Sequence, residues 1–129
     1  MKKSQSKSIS AAFASAFFLL LLLAACQTTD PAVTVENYLQ AKVDGDGETI
    51  RALLCAEMEA NLEREIQTFS SVSGVEIAGM ACTFDEAGSK VACDGRIVAL
   101  YGTEETEFPL TTYRVVQEDG EWKWCGETD

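Results

Sequence analysis

Five cysteines, Cys26, Cys55, Cys82, Cys93 and Cys125, are the side chains with the most distinctive chemistry in this 129-residue chain. Thiols can ligate metal, attack a substrate or oxidise to disulfides. The chain has no histidine, and its closest cysteine pair, Cys82 and Cys93, lies eleven residues apart. Zinc sites use tight cysteine pairs, so no metal is expected. The segment Asp44-Gly-Asp46-Gly-Glu48 has the opening of a calcium loop, but that loop needs Gly at its sixth position and a bidentate Glu at its twelfth. Counted from Asp44, those positions are Thr49 and Cys55, and a turn with a helix cap is the better reading. For proton transfer the candidates are Tyr38, Tyr101, Tyr113 and a carboxylate among 21 acids. An apolar pocket could raise such a carboxylate to serve as general base. Asp94 and Arg96 are one candidate pair, although charges on a strand more often face solvent. No Ser or Cys has the setting of a nucleophile, and no glycine-rich loop follows a strand. No catalytic residue is therefore assigned and no cofactor is expected. Trp122 and Trp124 alternate along the last strand and share a face; with Tyr101 and Tyr113 they form a candidate binding surface, the rival role being core completion.

Cys26 stands apart from the other four. Lys2, Lys3 and Lys7 open the chain, an uncharged apolar run follows from Ile9 to Ala25, and Leu23-Ala24-Ala25-Cys26 closes it. A basic start, an apolar centre and small residues before a cut are the layout of a secretory signal. Leu-Ala-Ala-Cys resembles a lipobox, in which the cysteine is diacylated and becomes the first residue after cleavage. A transmembrane anchor is the rival, marginal in length and without stop-transfer charges, since Gln27, Thr28 and Thr29 follow. The expected organisation is a signal peptide over 1–25, a lipidated end and tether over 26–30, and one domain over 31–129. Acyl chains on Cys26 would hold the domain to a membrane without crossing it. Gln27 rather than Asp favours the outer membrane, facing the periplasm, in a Gram-negative host; in a Gram-positive host the site is the outer face of the cell membrane.

Cleavage would remove three lysines and no acid, leaving 104 residues with seven cations against 21 carboxylates, a formal charge of −14. That field argues against nucleic acid and against electrostatic attachment to anionic lipid. An even cysteine count in a small exported domain reads as a disulfide framework. Four cysteines allow three pairings. A hairpin centred on Ala87-Gly88 sets Cys82 directly opposite Cys93, at a spacing a disulfide tolerates, and leaves Cys55 for Cys125. A peptide joining Cys55 to Cys82 or Cys93 would exclude this pairing.

Asp30-Pro31 is a helix start, followed by Val35, Tyr38, Leu39 and Lys42 on one face. Asp46 is the expected cap of a second helix carrying Ile50, Leu53, Leu54, Met58, Leu62, Ile66 and Phe69 at helical spacing and ending near Ser70-Ser71-Val72-Ser73-Gly74. Its charged residues, Glu57, Glu59, Glu63 and Glu65 with Arg51 and Arg64, read as the solvated side. Strands are expected near 79–84, 90–101, 108–117 and 121–125, separated by turns at Ala87-Gly88, Gly102–Glu107 and Glu118-Asp119-Gly120, where Asp-Gly is a hairpin signal. The fold class is α+β, two N-terminal helices packed on a curved four-stranded antiparallel sheet. The stretch Val35-Glu-Asn-Tyr-Leu-Gln-Ala-Lys-Val-Asp-Gly-Asp46 with Ala52-Leu-Leu, and the ending Tyr113-Arg-Val-Val-Gln-Glu-Asp-Gly-Glu-Trp-Lys-Trp-Cys125, resemble the opening and closing segments of small exported domains of the nuclear transport factor two-like superfamily. The resemblance implies a cystatin-like roll, a curved sheet around a helix that often encloses a pocket. That superfamily contains enzymes, pocket binders and interaction modules, so the fold leaves function open. The expectation is a non-catalytic accessory module of the cell envelope that binds a small ligand or an envelope protein. The alternative is a small pocket enzyme of isomerase or hydrolase type with a buried carboxylate as base.

Overall fold

In a computed structural model that describes residues 29–129, Asp30 caps helix α1 (Pro31–Asp44), its carboxylate accepting from the Ala32 N–H at 2.8 Å. Gly45, in the left-handed region, ends that helix. Asp46 caps α2 (Gly47–Leu53), accepting from the Thr49 N–H at 3.2 Å and the Thr49 hydroxyl at 2.6 Å. These bonds hold the Asp46 carboxyl below its usual range. The acidic Asp-Gly repeat thus stops one helix and starts the next. The expected signal peptide and Cys26 lie outside the described residues.

The long second helix of the sequence reading is in fact interrupted. After α2, Leu54 and Cys55 turn extended and lie beside the last strand: Leu54 bridges Trp124, and the Cys55 N–H donates to the Trp124 carbonyl at 2.9 Å. The chain then resumes as a 3₁₀ segment (Ala56–Asn61) and α3 (Leu62–Gln67). Pairing of Cys55 with Cys125 overrides helical propensity here, because a continuous helix would carry Cys55 away from the strand edge. Met58, Leu62, Ile66 and Phe69 still pack on the core, since 3₁₀ and α turns differ by only about half a residue per turn.

The sheet has five antiparallel strands rather than four: β1 (Ser73–Asp85), β2 (Lys90–Tyr101), β3 (Glu104–Pro109), β4 (Thr112–Glu118) and β5 (Glu121–Thr128). Their order is β1-β2-β4-β5, with β3 alongside the far half of β2. The turn expected at Gly102–Glu107 is mostly strand, as β3, and the strand expected over 108–117 starts only at Thr112, as β4, with Leu110 and Thr111 between the two. Around that break β2 stays bonded, Leu110 N–H donating to the Gly95 carbonyl at 2.9 Å and Cys93 N–H to that of Thr111 at 3.0 Å. Gly95 has φ +107°, and a Cβ there would lie 2.7 Å from the Gly79 carbonyl oxygen, so only glycine fits. Pairing also shifts between Ala78 and Ala81 in β1 and between Tyr113 and Val115 in β4. Bulges of this kind bend a sheet. At the opposite end, Asp119 and Gly120 both have positive φ, 53° and 79°, as a two-residue hairpin turn requires.

The result is an α+β domain with the helices packed against an open antiparallel sheet. Val35, Tyr38 and Ile50 from the helices meet Val91 and Val115 from the sheet, all fully buried. Cys82 faces Cys93 across β1 and β2, and Cys55 joins Cys125. The first bridge closes a separation of 11 residues and the second one of 70. Loop-closure entropy assigns them about 3 and about 4.4 kcal/mol. Replacing Cys55 and Cys125 together by alanine is accordingly expected to cost more stability than replacing Cys82 and Cys93. Urea unfolding of the two double variants, without reductant, checks this; equal losses would show that the long bridge constrains little.

Candidate functional site

Trp124 is the residue around which several elements converge. Its ring stacks on Tyr38 of α1, centroids 4.0 Å apart and planes 11° from parallel, and tilts against Tyr113 of β4 at 6.2 Å. The Lys42 ammonium stands 5.8 Å from the ring centre. Trp124 is 3% exposed, and its indole Nε1 is buried without a hydrogen-bond partner among the described residues. An unmade bond of this kind costs about 1–3 kcal/mol.

A cleft of about 240 Å³ opens beside this ring. Leu39 and Lys42 line it from α1, Phe69 from the chain after α3, and Tyr101, Phe108, Tyr113, Trp124 and Glu127 from the sheet. Three of the four aromatic residues singled out in the sequence, Tyr101, Tyr113 and Trp124, are thus brought together. Trp122 is not among them: it packs edge-on against Phe84 at 5.3 Å and completes the core at the far end of the sheet. The separation follows from the sheet: the Trp122 ring lies over Phe84 at the β1–β2 hairpin end, while Trp124 lies over α1. Tyr101 and Phe108 are 47% and 39% exposed, which places them at the mouth, where Phe108 meets Phe69 edge to face at 6.2 Å.

The wall behind Trp124 contains a polar group that sequence reasoning placed in solvent. Glu65 of α3 is buried, while Glu57, Glu59 and Glu63 are exposed. Its Oε2 accepts from the Tyr38 hydroxyl at 2.7 Å and forms an ion pair with Lys42 Nζ at 2.8 Å. The signal in the sequence was Lys42 itself: a cation on the apolar face of α1, beside Tyr38 and Leu39, requires a carboxylate from whatever packs there. Burial, and then the bond and negative charge of Glu65, push the Tyr38 phenol far above its ordinary range. Burial also raises Tyr113, with a smaller push from Glu127, against the lowering effect of the Thr111 N–H bond.

The other candidates for chemistry are otherwise engaged. Asp94 and Arg96 are exposed, Arg96 pairing with Glu107 at 2.9 Å. A second depression, about 320 Å³, lies where the α2–3₁₀ junction meets the β4–β5 turn. Its polar groups close that seam: Lys123 donates to the Ala52 carbonyl and to Glu121, and Glu118 accepts the Ala56 N–H at 2.9 Å. Glu65 is not among the side chains lining the aromatic cleft, and its Oε2 is held by Tyr38 and Lys42. The arrangement is a recess lined by aromatic rings with one exposed carboxylate, Glu127, at its edge. The chain matches no protein-family model, and no curated protein is significantly similar to it in sequence.

Lys42→Met would leave the Glu65 carboxylate buried with Tyr38 alone, and is expected to cost about 3–5 kcal/mol. Adding Glu65→Leu should recover most of that loss in urea unfolding; no recovery would mean that Lys42 acts through packing alone. A second expectation concerns alkali. Tyr38 and Tyr113 stay neutral in the fold and ionise near pH 10 when unfolded, so their contribution is complete below about pH 10 and declines as pH rises past it. Unfolding free energies measured from pH 9 to 11 should fall, and fall less steeply in Tyr38→Phe.

Proposed function

We propose that this chain is an exported lipoprotein, acylated at Cys26, whose domain is a nuclear transport factor two-like or cystatin-like roll that binds a small ligand in the cleft beside Trp124. Its place is the cell envelope, where it acts as a non-catalytic accessory module. The observation that carries the binding role is the cleft, in which Tyr101, Phe108 and Tyr113 surround a Trp124 ring immobilised from behind. Two disulfides suit an oxidising compartment, and the helices packed on an antiparallel sheet suit the roll. A pocket enzyme is the second reading, for which Glu65 is the one buried carboxylate among the described residues. Its engagement by Tyr38 and Lys42 favours binding over base catalysis.

Native mass spectrometry of the full chain, produced with its own leader and released from lipid nanodiscs, tests both parts. The expected result is acyl mass on Cys26, absent in Cys26→Ser, and a small-molecule adduct that is lost in the Tyr101→Ala, Phe108→Ala double variant. An adduct that survives the double variant would remove the cleft as the site, and unmodified Cys26 would remove the lipoprotein assignment.

A further inference from the structure

The charges around the cleft do not balance, and the imbalance selects among ligands. Lys42 is only partly exposed, and its charge is met at 2.8 Å by Glu65. Glu127, also at the cleft, is exposed and has no cationic or hydrogen-bonding partner among the described residues. The local sum is therefore one uncompensated carboxylate beside aromatic rings. Aromatic faces carry negative quadrupole density and attract cations, the more so when water is excluded. The whole chain, with a formal net charge of −11, adds a long-range field of the same sign. Size sets a further limit, since about 240 Å³ holds roughly eight water volumes at ~30 Å³ each.

Building on the binding role proposed above, we infer that the cleft selects a small organic cation, an ammonium or related group attached to a compact apolar body. The cationic head lies between the Glu127 carboxylate and the exposed rings of Tyr101 and Phe108. The apolar body enters toward Trp124. An anion would meet Glu127 at the entrance and find Lys42 already neutralised.

Three probes of similar shape separate the possibilities: benzyltrimethylammonium, benzyl alcohol and phenylacetate. Each is titrated into the full chain in zwitterionic nanodiscs, with empty discs subtracted, using the Trp122→Phe variant so that Trp124 is the sole indole. Benzyltrimethylammonium should bind at least about tenfold more tightly than either other probe, and several-fold less tightly in 0.5 M salt than at low ionic strength. Glu127→Gln should weaken it roughly fivefold and leave benzyl alcohol unchanged, and Phe108→Ala should weaken it by a similar factor. Binding of phenylacetate or benzyl alcohol as tightly as the cation, or a cation affinity unchanged in Glu127→Gln, would overturn the cation class while leaving the cleft as a binding site. If none of the three probes changes the Trp124 signal, the inference fails, and the adduct measurement alone then decides whether the cleft binds anything.

Discussion

The two layers of this domain are held in register by the clamp on the last strand around Trp124. On one side, Leu54 and Cys55 lie against β5, joined to it by the Trp124 carbonyl bond and by the Cys55–Cys125 disulfide. On the other, Tyr38 stacks on the Trp124 ring. Neither contact is local in sequence, so the helices and the sheet cannot slide past one another without breaking both. The break after α2 follows from this clamp, and so does the position of α3, which returns over α1 and carries Glu65 to Tyr38 and Lys42.

Those three side chains show why the polar group is tolerated in the core. A buried carboxylate alone would be costly; with a phenol donor and an ammonium both within 2.8 Å it is satisfied. Tyr38 and Lys42 come from α1 and Glu65 from α3, so the network links the two helices. It also removes the Lys42 charge from the electrostatics of the neighbouring cleft. The cleft therefore inherits its floor from a stability element and its polarity from Glu127.

Much of this was legible in the residues, and the exceptions share a cause. Caps, the Asp119-Gly120 turn and the α+β order are local signals, and the structure contains all of them. The opposition of Cys82 and Cys93 followed from hairpin arithmetic, which needs only one turn to be placed. Helix continuity through Cys55, by contrast, is a local inference defeated by a partner 70 residues away. Glu65 was misread for the same reason: its own helix offers no sign that Tyr38 and Lys42 wait opposite. β3 lies mostly where a turn was expected, at Gly102–Glu107, and its break from β4 was visible only as Pro109, whose effect depends on where β2 bends. Of the aromatic candidates, strand alternation put Trp122 and Trp124 on one face but could not say that α1 covers only one of them.

The same distribution of constraints divides the cleft into two mechanical parts. Its floor is tied down by the stack, the ion pair and the disulfide, so the geometry there is preorganised and a ligand pays little to order it. Its mouth is different. Among the described residues β3 pairs with β2 alone; Tyr101 and Phe108, which the two strands present, are exposed, and Phe108 meets Phe69 edge to face. Segments with few buried contacts open at low free energy, so under the proposed binding role the β2–β3 end would be the part that adjusts to a ligand. Under the binding role proposed above, discrimination by shape would fall to the ring of Trp124 and discrimination by charge to Glu127.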